Sequence, residues 1–402
     1  MTFAYRGRDT KGEAVRGTIE ADSQELAIRE LRSQGIFITH CRPVALPPAR
    51  NWRHLFRRPV SRRDLALFCR QLATMLGAGL PIISALRIIE KQAENSSLRE
   101  SVTLLLRDLE AGEAFYRALE RQPRVFPPIF IHTVEAGELS GAMDETLGRL
   151  AGHLEKEHEL EEKVKSALTY PAIVSMVALL VVIILLTYVL PSFRVMLNSL
   201  QVPLPWPTRL ILGLSEWLRR LWFLVFLILS GAGYGFYRWQ QRPAARYQLD
   251  RVLLRLPVIG PLNLKTVLSR FSRTLATLLH SGVPVLTALE IVRRTVGNAV
   301  VAEAVARAEE SVRDGQGLAA PLEASGVFPP MVVEMITVGE ETGALDFMLE
   351  RVAALYEQEV GAIVGRLASL IEPMLIVVLG GIVGVIVISV FLPYFQVLGG
   401  IR

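Results

Sequence analysis

Residues Arg70–Pro81 read RQLATMLGAGLP, and residues Arg273–Pro284 read RTLATLLHSGVP. Outward from this pair, Phe68, Arg70, Leu72, Ala73, Thr74, Leu76, Gly79, Pro81, Ala85 and Leu86 recur as Phe271, Arg273, Leu275, Ala276, Thr277, Leu279, Gly282, Pro284, Ala288 and Leu289, at a constant offset of 203. FPP at Phe126–Pro128 returns at Phe328–Pro330, and EAGELSGAMD (Glu135–Asp144) returns as VGEETGALD (Val338–Asp346), now at an offset of 202. Pro171 matches Pro373, and Pro191 matches Pro393. The match covers about 125 residues with one single-residue slip. An internal repeat of this length sets the architecture before any local reading does.

The remaining sequence explains how two copies share one chain. The 402 residues are 51% hydrophobic, with a mean hydropathy of +0.36. Three uncharged stretches account for the excess: Ala172–Leu190, Leu221–Tyr237 and Pro373–Gly400. A membrane-spanning helix needs roughly 20 apolar residues. The first and third stretches reach that length; the second, at 17 residues, must borrow from its flanks. Each copy ends in an outgoing span, so the chain must return through the membrane before the second copy begins. The second span, which has no repeat partner, does that.

Charge predicts orientation. Lys156, Lys163 and Lys165 precede the first span, and Arg238, Arg242, Arg246, Arg251, Arg255 and Lys265 follow the second, whereas the intervening loop is sparsely charged. The positive-inside bias places the N-terminal half and residues 238–372 in the cytoplasm, with residues 399–402 outside. Arg219 and Arg220 run against this pattern. No signal-like apolar region occupies residues 1–38, consistent with a cytoplasmic N-terminus. Cys41 and Cys69 form no metal spacing and are expected to be reduced thiols. The net charge of +5 suits a protein facing anionic lipid and does not argue for nucleic acid.

Each copy reads as an all-α bundle of about six helices. Leu65, Phe68, Leu72, Met75 and Leu76 recur at three- and four-residue steps. Ser61-x-x-Asp64 resembles a capping box, and Gly79-Leu-Pro81 closes the first helix. Glu138–Gly141 reads as a break before a long helix, near 144–168, that runs toward the span. The N-terminal stretch predicts a hairpin turning at Thr10–Gly12, a helix from Asp22 to Gly35 and a strand. The expected organisation is mainly α: an N-terminal ββαβ module at 1–45 and a linker at 46–63, within an arginine-rich stretch, 42–63, that carries no acid. A first cytoplasmic bundle at 64–168 and a span at 169–193 follow, then an extracytoplasmic loop at 194–218 and a span at 219–238. A second bundle at 239–370 and a last span at 371–398 complete the chain.

The paired segments, the paired FPP, the paired GE-x-[ST]-G, the final FLPYF and the leading FAYRGRDTKGEAVRGTIEADS together resemble the inner-membrane platform protein of bacterial type II secretion and type IV pilus systems. The resemblance implies a non-enzymatic, homo-oligomeric scaffold of the inner membrane with no cofactor. Its implied partners are a hexameric assembly ATPase on the cytoplasmic domains, pilin or pseudopilin subunits at the spans, other inner-membrane assembly proteins and membrane lipid. The residues agree on the negative side. There is no G-x-x-x-x-G-K-[ST] and no HExxH, and no ionisable residue lies deep in a span. A channel or transporter subunit is the alternative.

Candidate positions follow from the motifs. Arg70, Gly79, Glu138 and Gly141, with their counterparts Arg273, Gly282, Glu340 and Gly343, are candidate partner contacts. Glu135 and Glu341 join them beside the glycine breaks, where an acidic residue also favours a helix N-terminus. His153, Glu157 and His158 have a spacing that could hold a divalent cation, although a solvated helix face is the simpler reading of this run. Gly231 with Gly235 and Gly380 with Gly384 allow close helix packing in lipid. Pro171 and Pro373 are candidate kinks where each outgoing helix meets the membrane, and Glu372 is expected at the interface.

Overall fold

The computed structural model describes residues 2–8, 14–20, 24–33, 35–43, 59–190, 206–257 and 259–399. They fall in two units, Met1–Arg58 and Pro59–Arg402. The expected turn at Thr10–Gly12 and residues 46–58 of the expected linker lie outside the described residues.

In the first unit β1 (Thr2–Arg8), β2 (Ala14–Glu20) and β3 (Phe37–Pro43) form an antiparallel sheet in the order β2-β1-β3. The register slips between Arg6 and Gly7. A Cβ at Gly7 would lie 2.5 Å from the Phe37 carbonyl oxygen, so only glycine lets the strands approach there. Helix α1 (Gln24–Ser33) buries Ala27 and Leu31, one turn apart on a single face.

The second unit holds both copies, six helices each. The first copy is α2 (Arg62–Gly77), α3 (Ile82–Gln92), α4 (Ser96–Glu110), α5 (Phe115–Glu120), α6 (Pro128–Ser140) and α7 (Met143–Ile184). After α8 (Trp206–Gln240) and α9 (Pro243–Arg255), the second copy is α10 (Ile259–His280), α11 (Val285–Thr295), α12 (Ala299–Arg313), α13 (Ala319–Ala324), α14 (Pro330–Thr342) and α15 (Leu345–Gly399).

The helix limits have local causes. Ser61 and Asp64 make the reciprocal capping box, so α2 starts at Arg62. Gly79 and Gly282 both sit at φ +83°, just beyond the first helix of each copy, a conformation a side chain resists. Asn95 and Asn298 cap α4 and α12 through their side-chain oxygens. The paired FPP does two jobs. Pro128 and Pro330 open α6 and α14. Phe126 and Phe328 stack on the first helix of their own copies, with ring centroids 6.0 Å from Phe68 and 5.1 Å from Phe271. All four rings belong to one apolar core that runs through both copies, and burying each contributes about 2–3 kcal/mol.

One helix limit differs from the sequence expectation. Glu138 was placed at a break, but α6 continues through it to Ser140, and the break falls at Gly141 in the left-handed conformation. The reason is the cap: a helix ending on a left-handed glycine keeps the preceding residues helical. The long helix read near 144–168 runs on into the apolar segment, in the direction the sequence pointed. α7 runs 42 residues through Pro171 and passes into a π-helical turn at Leu185–Val189. α15 likewise runs 55 residues through Pro373. The helical run is broken at neither proline.

Among the described residues two helices are long and apolar enough to cross a membrane, Met143–Val189 and Leu345–Leu392. The bent pair α9 and α10 reaches that measure only if read as one span, and α10 is committed to the bundle core. The expected second span, 219–238, lies within α8, which is bent at Leu221. A small second cluster of Leu186, Leu190, Leu212 and Ile386 joins the three long helices. Ser215 Oγ donates to the Leu186 carbonyl there, and Thr208 Oγ1 donates to the Ser389 carbonyl at 2.6 Å. A Cβ at Gly231, Gly235, Gly380 or Gly384 would meet nothing within 4 Å. Among the described residues the expected glycine packing is therefore not made.

Candidate functional site

The repeat delivers the same polar parts twice, and the two sets meet along α7, α10 and α15. In each copy the arginine of the opening segment reaches the long outgoing helix. Arg70 donates to Glu155 at 3.0 and 2.7 Å, and Arg273 donates to Glu357 at 2.9 Å through Nε. One turn or two further, Arg62 pairs with Glu157 at 3.4 Å and Glu161 at 2.5 Å, and Lys265 pairs with Glu359 at 2.6 Å. Each bundle is thus tied to its own long helix by two charged rungs.

The rungs differ in burial. Arg70 and Glu155 keep 48% and 45% of their side-chain surface exposed, whereas Arg273 and Glu357 keep 16% and 14%. The second rung is buried because it lies in the seam between copies. Arg270 reaches across from α10 to Glu157 on α7 at 3.4 Å, and Arg149 donates to the His280 carbonyl at 2.6 Å. His153, 4% exposed, sets Nδ1 3.3 Å from Thr277 Oγ1 of the other copy. Burial pushes its imidazole down to about 4, with Glu157 opposing and Arg273, Arg62 and Arg270 adding to the effect. It is neutral at physiological pH. Cavities of about 290 and 400 Å³ flank this point, and both are lined by His153 and Arg273. Ser269 borders the smaller one with its buried Oγ unpartnered.

The GE-x-[ST]-G motif is also duplicated in its geometry. Glu138 accepts from the backbone N–H groups of Phe115 and Tyr116, both at 2.9 Å, and so caps α5. Glu340 accepts from Leu318 and Ala319 at 2.5 and 3.2 Å, capping α13. Each acid satisfies donors a helix start leaves open, but of a helix more than twenty residues upstream. The preceding glycines let helices touch: a Cβ at Gly137 would lie 2.8 Å from Thr146 Cβ, and one at Gly339 would lie 2.8 Å from Leu345 Cα. Gly141 and Gly343 close α6 and α14 at φ +74° and +69°. Glu135 pairs with His132 at 3.0 Å, and Glu341 is exposed.

The candidate positions thus separate. Arg70, Glu138, Arg273 and Glu340 have internal partners. Gly79, Gly141, Gly282 and Gly343 are exposed turn positions. The cation site is not formed: among the described residues no group of three potential ligands assembles. Glu157 is held by Arg62 and Arg270, and His153 faces Thr277. Sequence reasoning missed Glu155, Glu357, Asn95 and Asn298. Comparison of the copies would have found them, since each recurs at the repeat offset. The seam is a polar contact between two bundles, each continuous with an apolar helix.

The family described as "Type II secretion system (T2SS), protein F" matches residues 68–191 and again residues 271–393, and its N-terminal domain matches residues 1–42. The type IV pilus assembly protein PilC of Thermus thermophilus is 45% identical, covering 99% of this chain and 98% of its own length. PilC of Myxococcus xanthus is 37% identical over 100% and 96%. The type II secretion system protein F of Xanthomonas campestris pv. campestris is 37% identical over 99% of each chain.

Proposed function

The chain belongs to the type II secretion system protein F family, a family of secretion and pilus platform proteins, and on that premise we propose a mechanical, non-enzymatic role for it in the inner membrane. The bundles engage a cytoplasmic assembly ATPase, and the spans engage pilin or pseudopilin subunits and shift them from the bilayer toward a growing filament. The observation that carries this reading is helix continuity. The core of each bundle and the apolar segment that follows it are one helix, α7 and α15. A displacement of either bundle is therefore carried into the membrane without a flexible joint.

The N-terminus and both bundles lie in the cytoplasm, three helices cross the membrane, and the protein acts as a homo-oligomer. Relatives named for pilus assembly and for type II secretion both match across nearly the whole chain, so the reading covers either machinery. Crosslinking of the full-length protein in its native membrane, followed by mass spectrometry, tests the reading. It predicts an ATPase attached through residues 59–165 or 243–370 and a pilin-like subunit attached through the spans. Self-crosslinks without either partner would refute it.

A further inference from the structure

The two outgoing helices leave a groove of about 280 Å³ between them, lined from α7 by Tyr170, Val174 and Ala178 and from α15 by Glu372, Leu379 and Ile382. Its wall is aliphatic apart from Ser175 and the pair at one end, Tyr170 and Glu372. Those two occupy the same place in the two copies, so the repeat brings an unlike pair to one mouth. That mouth is the bundle end of the groove, the level at which the apolar segments begin and phospholipid headgroups lie. Glu372 is exposed, and among the described residues no hydrogen bond or ion pair engages its carboxylate.

An unpaired carboxylate beside an apolar groove calls for a cation joined to a hydrocarbon chain. In a bilayer one molecule offers both. We propose that the groove seats an acyl chain of a phospholipid with a primary ammonium headgroup, phosphatidylethanolamine, whose ammonium donates to Glu372 and whose phosphate accepts from the Tyr170 hydroxyl. A quaternary ammonium cannot donate a hydrogen bond to the carboxylate. An anionic headgroup is repelled by Glu372, although Lys163, Lys165 and Arg366 on the same helices favour one.

Native mass spectrometry of the detergent-solubilised full chain decides the matter, with phosphatidylethanolamine, phosphatidylcholine and phosphatidylglycerol of equal acyl length titrated in turn. The ethanolamine lipid is expected to be retained about two- to fivefold better, the factor one half-exposed ion pair supplies. E372Q abolishes the preference for the ethanolamine over the choline lipid, and A178W, which fills the groove, lowers retention of all three. Preferred retention of phosphatidylglycerol, or an ethanolamine preference that survives E372Q, overturns the proposal. A photo-crosslinker at Leu379 in native membranes gives a lipid adduct if the groove holds lipid. A polypeptide adduct there assigns the groove to a partner helix instead and equally overturns it.

Discussion

Glu138 and Glu340 illustrate how far a residue's role can lie from its sequence neighbourhood. Each stands beside a glycine break, yet each caps a helix more than twenty residues away. Removing a charged acceptor leaves two backbone donors of a helix start unpaired, at a cost of about 1–3 kcal/mol. E138A and E340A should each lower the thermal midpoint of the solubilised protein, with E138Q and E340Q falling between variant and wild type; equal stability of all four would remove the caps from the account. The repeated arginines give a sharper contrast. R70A removes an exposed pair and should cost under about 1 kcal/mol. R273A strands the half-buried carboxylate of Glu357 and should cost about 3 kcal/mol. Similar losses in the two variants would contradict the burial difference. Neither partnership was legible locally, because 85 and 84 residues separate the partners. Only the recurrence of both ends in the second copy carries the signal.

His153 adds a pH dependence at the same scale. Its imidazole titrates near 6.5 in the unfolded chain and near 4 in the fold. Between those values the unfolded chain holds the extra proton. The stabilisation is therefore complete above pH 6.5 and is lost as pH falls toward 4, by about 3 kcal/mol in all. Leucine occupies the equivalent place, Leu355, so H153L is the natural control. Unfolding midpoints at pH 7, 6 and 5 should fall more steeply in the wild type than in H153L. Parallel curves would mean that His153 is charged in the fold.

At the scale of elements, the glycines of the duplicated motif set how closely α6 meets α7 and α14 meets α15. G339A drives a methyl group into the backbone of Leu345, which cannot swing aside, and overpacking of this kind costs about 1–3 kcal/mol. G380A meets only open space and should leave monomer stability unchanged. A stable G339A protein, by circular dichroism melting, would show that the helices are less tightly opposed. The helix inventory was legible because caps are local: Ser61 with Asp64, the left-handed glycines and the prolines at helix starts each act within a few residues. The seam was not, since it depends on how two similar bundles face each other. The continuity of α7 across the predicted domain limit was suggested only by the absence of any break between Met143 and the span.

At the scale of the whole molecule, duplication gives two charged rungs per copy, two acid caps and two long helices, and the copies differ where they meet: His153 against Leu355, Tyr170 against Glu372. A scaffold of this design transmits displacement only if its long helices stay rigid between core and membrane. Inserting three glycines after Ser166 in α7 and after Ser369 in α15 breaks that rigidity while leaving the core and the apolar segments intact. The decisive measurement is filament assembly or secretion in the native cell carrying the insertions, normalised to the amount of protein in the membrane. The account predicts normal membrane levels and loss of assembly, with ATPase capture retained. Full assembly by the doubly interrupted protein would contradict it.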